Sequence, residues 1–152
     1  MNDGREVEKY QYYYDEFTRD IRHWYKHFKR QANLQIVGIY RGSLPIATHL
    51  SNILECPMSI IKFQSRDGED EKPEWLINNI PKSTASNIIV VDDIYDTGYT
   101  FRMIQEMEEF KNNPSVTYAA LFGSKNPDGV SYLNERINRW IVFPWERVIG
   151  GM

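Results

Sequence analysis

The chain has 152 residues, of which 41% are hydrophobic and 26% charged, and a formal net charge of −3. This is the size and balance of one globular domain, residues 1–152, with a core of its own. The charge excludes nonspecific attraction to nucleic acid or an anionic membrane. The single cysteine, Cys56, excludes an internal disulfide and fits a reducing compartment, so the cytoplasm is the expected location.

The opening residues, Met1 to Glu6, are polar and read as no secretory leader, and no apolar run reaches membrane-spanning length. Tyr10, Tyr13, Tyr14, Phe17, Ile21, Trp24, Tyr25 and Phe28 then recur at helical spacing, with Asp, Arg and Lys between them. This predicts an amphipathic helix running to about Asn33. His23 and His27 lie one turn apart on it, and without a third ligand nearby they belong to a solvated face rather than a metal site. Leu34–Tyr40 reads as the first strand. It opens into Arg41-Gly42-Ser43, and a helix follows from Pro45 to Leu54, since proline suits a first helical turn. Cys56 sits among Ile53, Leu54 and Pro57, the setting of a packing thiol rather than a nucleophile.

Met58–Phe63 reads as a second strand and Gln64–Lys72 as a polar, acidic loop. Ile88–Val91 is the third strand and Thr100–Phe110 the helix after it. Val116–Phe122 is a fourth strand, and Arg139–Phe143 a short fifth. Strands alternating with helices predict an α/β fold with a central, mostly parallel sheet of about five strands flanked by helices.

The chemistry concentrates where the third strand ends. Ile88-Ile89-Val90-Val91 runs directly into Asp92 and Asp93, and Asp96-Thr97-Gly98-Tyr99-Thr100 follows. In an open α/β sheet ligands bind at the carboxyl edge of the strands. Two adjacent carboxylates there repel one another and become stable beside a divalent cation or sugar hydroxyls. Helix capping explains one such acid but not the group. The stretch from Asp96 to Thr100 supplies consecutive N–H groups, two hydroxyls and a glycine, the makings of a monophosphate cradle. Neither the lysine-bearing phosphate loop nor the three-glycine dinucleotide loop is present. Arg41-Gly42-Ser43 lies at the same edge, where it suits a second anionic group such as pyrophosphate, although a surface arginine in a turn looks the same in isolation. Lys125 follows the fourth strand, and Trp140 and Trp145 flank the last one. Either tryptophan suits a planar ring or the core equally well.

From Val90 to Thr100 the pattern is apolar residues, two acids, two variable positions, then Asp-Thr-Gly-x-Thr. It resembles, without a gap, the phosphoribosyl-pyrophosphate signature of type I phosphoribosyltransferases. Val37 to Ser43 looks like the pyrophosphate loop of that family. Lys125 falls where purine-specific members keep a lysine. Trp140-Ile141 and Pro144-Trp145-Glu146 look like the base-binding hood of the bacterial xanthine-guanine (hypoxanthine) phosphoribosyltransferases.

The resemblance implies a purine phosphoribosyltransferase with a small C-terminal hood, a flexible lid over Gln64–Lys72, and Mg2+ as cofactor. Its substrates would be phosphoribosyl pyrophosphate and an oxopurine, and it would assemble as a homodimer or homotetramer. Asp92 and Asp93 would bind the ribose hydroxyls, directly or through Mg2+. Asp96 would act as general acid or base beside purine N7. Thr97, Gly98, Tyr99 and Thr100 would hold the 5-prime phosphate, and Arg41 and Gly42 the pyrophosphate, with a cis peptide at Tyr40–Arg41. Lys125 would donate to the six-position oxygen, Trp140 would stack on the base, and the backbone at Ile141 and Glu146 would read its two-position. Ser65 and Arg66 would approach the pyrophosphate when the lid closes. Tyr99 departs from the family, which keeps a small residue there, and the lid acids Asp67, Glu69, Asp70 and Glu71 are unusual beside pyrophosphate.

Two further readings use the same residues. A sensor of phosphoribosyl pyrophosphate that binds nucleic acid would need a basic face, which this chain lacks. A phosphoribosyltransferase for a pyrimidine would not need Lys125 or the tryptophan pair.

Overall fold

Successive side chains of an extended strand leave on opposite faces, so an unbroken apolar run is buried on both. The computed structural model, which describes residues 8–66, 69–70, 72–82, 85–124, 130–135 and 139–146, shows this for Ile88–Val91. Ile89 and Val91 join one apolar cluster with Phe17, Ile36 and Leu50. Ile88 and Val90 join a second with Val37, Ile61 and Phe101.

In chain order the elements are β1 (Lys9–Gln11), α1 (Tyr14–Phe28), β2 (Leu34–Tyr40), α2 (Leu44–Leu54), β3 (Met58–Lys62), β4 (Ser65–Arg66), β5 (Glu69–Asp70), β6 (Glu74–Ile77), β7 (Asn87–Tyr95), α3 (Tyr99–Gln105), β8 (Val116–Gly123), β9 (Ser131–Glu135) and β10 (Trp140–Val142), closed by a 3-10 turn over Pro144–Glu146. The central sheet has the order β6-β3-β2-β7-β8-β9. Its strands are parallel except β6, which runs antiparallel to β3 at one edge. Helices α1 and α2 cover one face and α3 the other. The parallel arrangement brings the ends of β2, β3, β7 and β8 to one edge of the sheet. Gly38 lets α2 lie close on β2, because a Cβ there would stand 2.7 Å from Ala47 Cβ.

Several boundaries differ from those the sequence predicts. The first helix starts at Tyr14, because Lys9–Gln11 pairs instead with Trp140–Val142. It ends at Phe28, and Asn33 turns the chain at a positive φ of 53° before β2. Tyr13 and Tyr14 are exposed, so the buried stripe is Phe17, Asp20, Ile21, Trp24 and Phe28. His23 and His27 are exposed. The short strand near Arg139–Phe143 is present but lies outside the central sheet, in a parallel pair with β1. Its expected place is taken by β9, a partly polar edge strand with no apolar run to announce it.

The edge strand β6 is equally silent, four residues with a register shift against β3. Helix α3 stops at Gln105 rather than Phe110. Tighter turns follow, with Met107 N–H donating to Ile104 O at 3.0 Å and Phe110 N–H to Met107 O at 2.9 Å, and they carry Phe110 into the core. Within Gln64–Lys72, β4 and β5 form a small antiparallel hairpin. Asp67 and Glu71 lie outside the described residues. No described helix is long and apolar enough to cross a membrane.

Candidate active site

The loop after β2 is folded back onto the strand it leaves. Ser43 is fully buried, and its hydroxyl donates to the Ile39 carbonyl at 2.8 Å while accepting from the Ile39 N–H. Ser43 N–H also donates to Ile39 O at 3.2 Å, and Leu44 N–H to Arg41 O at 3.2 Å. The Tyr40–Arg41 peptide is cis, as the resemblance implies. Arg41 and Gly42 are thereby held at the carboxyl edge of the sheet, with Pro45 in the first turn of α2 behind them.

Strand β7 extends through Tyr95, so Asp92 and Asp93 belong to its last residues rather than to the turn beyond. Asp93 N–H donates to Asp92 Oδ1 at 2.9 Å, and Ile94 N–H to Asp93 Oδ1 at 2.7 Å. Burial, and after it the neighbouring Asp93 carboxylate, hold the Asp92 carboxyl well above the usual carboxylate range. Asp93 reaches across to the Arg41 loop. A Cβ placed on Gly42 would lie 2.6 Å from Asp93 Oδ2, so only glycine leaves that carboxylate its position.

Among the described residues no three His, Cys, Asp or Glu side chains converge to hold a metal ion. Two neighbouring carboxylates do fit a cation such as Mg2+ that takes its remaining ligands from water and substrate oxygens.

Beyond Tyr95, Asp96 and Thr97 are exposed and Gly98 takes a positive φ of 82°. Without a Cβ, glycine adopts this conformation freely, which lets the chain turn from strand into helix within three residues. Tyr99 N–H donates to Thr97 Oγ1 at 3.3 Å, and the Arg102 guanidinium to Thr97 O at 2.9 Å. The turn is thus braced from within and from α3. Tyr99 is half-buried, its ring 6.0 Å from that of Phe63 at an angle of 42°.

A cavity of about 760 Å³ opens between these segments. Arg41, Gly42, Asp92, Asp93, Thr100 and Glu146 line it, which brings together residues from the loop after β2, the acid pair of β7, the start of α3 and the 3-10 turn at Pro144–Glu146. Asp96, Thr97, Gly98 and Tyr99 are not part of its wall; they flank it through Thr100. Ile141 is buried in the core, and its backbone is in register with Tyr10. Trp140 is 56% exposed and does not line the cavity, whereas Trp145 does. Lys125 lies outside the described residues. Gln64, the first residue of the expected lid, also lines the cavity, together with Phe63, to which the sequence assigns no role. Their position directly after a parallel strand was the available signal.

The hood wall is built by local capping and aromatic packing. Phe143 N–H donates to Glu146 Oε1 at 2.9 Å, and Glu146 N–H to Phe143 O at 3.0 Å. Trp145 stacks on Phe143, with centroids 5.0 Å apart and an angle of 13°, and meets Phe17 edge-on at 5.1 Å. Phe143 in turn packs on Tyr12, whose hydroxyl donates to the buried Asp20 carboxylate at 2.6 Å. Asn134 donates to the same carboxylate at 3.0 Å. Burial first, and then the Asp20 hydrogen bond, raise the Tyr12 hydroxyl far above its ordinary pKa.

With this geometry in place, the match to known proteins is specific: residues 10–148 correspond to the phosphoribosyl transferase domain. The chain belongs to the phosphoribosyl transferase domain family. Its parallel sheet flanked by helices is the type I fold of that family. Among curated phosphoribosyl transferases it is similar to the xanthine-guanine phosphoribosyltransferase of Gluconobacter oxydans (strain 621H). The two are 25% identical over 120 residues, 73% of this chain and 67% of the other. The purine phosphoribosyltransferase of Pyrococcus horikoshii Ot3 superimposes with a TM-score of 0.74 at 28% identity, covering 93% of this chain and 96% of that one. The xanthine-guanine-hypoxanthine phosphoribosyltransferase of Helicobacter pylori shares the fold, with a TM-score of 0.70 at 18% identity over 93% and 94% of the two chains.

Proposed function

We propose that the protein transfers the phosphoribosyl group from phosphoribosyl pyrophosphate to an oxopurine, releasing a nucleoside monophosphate and pyrophosphate. The observation that carries this reading is the meeting of the Arg41-Gly42 loop and the Asp92-Asp93 pair on one cavity, with Thr100 of the phosphate turn in the same wall. In this assignment Thr97 to Thr100 bind the 5-prime phosphate, the two acids bind the ribose, and Arg41 and Gly42 bind the pyrophosphate. The bond between the anomeric carbon and pyrophosphate oxygen breaks, and one from that carbon to an imidazole-ring nitrogen of the base forms. Asp96 takes up the proton the base gives away. Arg41 offsets the negative charge that develops on the leaving group.

Mg2+, held by Asp92 and Asp93 together with substrate oxygens, would neutralise charge on the pyrophosphate. Lys125 donates to the six-position oxygen, Glu146 stands in the wall of the base subsite, and Trp140 and the Ile141 backbone meet the base from beside that wall. The β4–β5 hairpin, which adjoins the cavity through Gln64, acts as the lid that keeps water from the reacting carbon. The names of the Gluconobacter oxydans and Pyrococcus horikoshii relatives support a purine as acceptor, and a homodimer or homotetramer is the expected assembly. The test is an assay with phosphoribosyl pyrophosphate and each of guanine, xanthine, hypoxanthine, adenine and uracil, with and without Mg2+. Turnover of oxopurines only with Mg2+ is the expected result. Tight donor binding with no turnover of any base would instead favour a sensor.

A further inference from the structure

We propose that Tyr99 is a positioning residue for the donor. Packed on Phe63, its ring sets the spacing between the phosphate turn and the Arg41 loop, so that both ends of phosphoribosyl pyrophosphate are engaged at once. The proposal rests on the function assigned above. Strands β3 and β7 are not neighbours, since β2 lies between them. With adjacent strands ~4.8 Å apart, their ends stand roughly 10 Å from one another. Tyr99, the first residue of α3 after β7, spans much of this distance to reach Phe63, the residue directly after β3. Phe63 is itself buried and lines the cavity. Lys62, just before it, is in register with Tyr40, just before Arg41. The Tyr99–Phe63 contact therefore ties the turn that follows β7 to a strand paired with β2 up to Tyr40, the residue that leads into Arg41. A small residue at position 99 cannot make this bridge, which accounts for a bulky ring inside an otherwise regular signature.

A ligand held at two points gains affinity in proportion to how well the spacing of the two subsites matches its own length, whereas a ligand held at one point is indifferent to that spacing. The experiment is calorimetric titration of the wild type, Tyr99→Ala and Tyr99→Phe with phosphoribosyl pyrophosphate, ribose 5-phosphate and inorganic pyrophosphate, all in Mg2+. Tyr99→Ala is expected to weaken phosphoribosyl pyrophosphate ~10-fold or more while moving each single-anchor ligand less than ~2-fold, and Tyr99→Phe to restore the wild-type pattern. Tyr99→Leu, which keeps most of the volume without the ring, is expected to behave as the alanine variant and replaces it if that variant does not fold. Equal weakening of ribose 5-phosphate and the donor would confine Tyr99 to the phosphate turn and overturn the proposal, as would unchanged donor affinity. Because binding is read directly, a wild type that binds the donor but uses no base sinks the transferase reading and leaves this one standing. A wild type that does not bind the donor overturns both.

Discussion

Asp93 and Gly42 approach so closely that a single methyl group on residue 42 would stand 2.6 Å from the Asp93 carboxylate oxygen. The two belong to different strand ends, and their contact joins the acid pair to the Arg41 loop. Gly42→Ala must push the carboxylate aside, which a side-chain rotation accomplishes without unfolding anything. We expect turnover to fall ~10–100-fold, since small displacements of positioned groups cost rates of that order. The melting temperature should move by no more than ~3 °C. Steady-state kinetics alongside thermal denaturation check this; full activity would show that the contact is incidental.

Asp96 is exposed at the start of the turn that joins β7 to α3, and the proposed reaction gives it the proton that the base releases. Asp96→Asn should fold normally and lower kcat by ~10²–10⁴-fold, the usual contribution of one general acid–base group. Undiminished turnover would remove Asp96 from the proton transfer.

Asp92 gives the ligand-free protein a pH signature. Its folded-state carboxyl is raised above the unfolded value, by burial first and Asp93 second. The folded protein therefore holds this proton more tightly than the unfolded chain. The resulting stabilisation is complete below the ordinary carboxylate pKa and is lost as pH rises through the raised folded value. Asp92→Asn cannot lose it. We expect the variant to melt a few degrees above wild type at pH 8 without ligand, with the difference shrinking toward pH 4. A pH series of paired melts measures the difference, in which every other titrating group largely cancels. A pH-independent gap would contradict the assignment.

The two tryptophans of the hood separate by their surroundings. Trp145 stacks on Phe143 and touches Phe17, whereas Trp140 is largely exposed. Trp140→Ala should leave the melting temperature unchanged and raise KM for the base ~5–100-fold, the range of one lost aromatic–base stack. Trp145→Ala should lower the melting temperature by several degrees through lost packing. If instead Trp145→Ala alone impairs base binding, the stacking platform is Trp145.

Tyr12 supplies a hydroxyl to the buried Asp20 carboxylate, and its ring supports Phe143 beneath the hood. Tyr12→Phe keeps the ring and removes the donor. A charged acceptor left short of one hydrogen bond costs ~1–3 kcal/mol, which denaturant unfolding resolves. Arg19 also meets the Asp20 carboxylate, at 3.2 Å, and no loss of stability would mean that it and Asn134 suffice for Asp20.

Much of this was legible in the chain itself. The run from Ile88 to Val91 could only be a strand covered on both faces, and the residues after it could only be an acid pair followed by a glycine turn, because both signals are local in sequence. The same locality explains the errors. Tyr10 and Tyr13 fit a helical period, but Tyr10 belongs to β1, whose partner Ile141 lies far along the chain. The edge strands β6 and β9 expose too much side chain to show an apolar pattern. Residues 65–66 and 69–70 read as loop because two-residue strands carry no periodicity.

By itself, then, the sequence determined the alternation of the inner strands β2, β3, β7 and β8 with the helices α1 to α3, the family signature from Val90 to Thr100, and the residues that would bear charge at the sheet edge. Only the tertiary structure decided which of them meet. Parallel pairing of β2 with β3 and β7 set the Arg41 loop between Phe63 and the acids, Gly42 let Asp93 close against that loop, and pairing of β1 with β10 carried Trp145 rather than Trp140 to the cavity wall. Such contacts join residues tens of positions apart, and they depend on strand order and side-chain size, which no local pattern encodes.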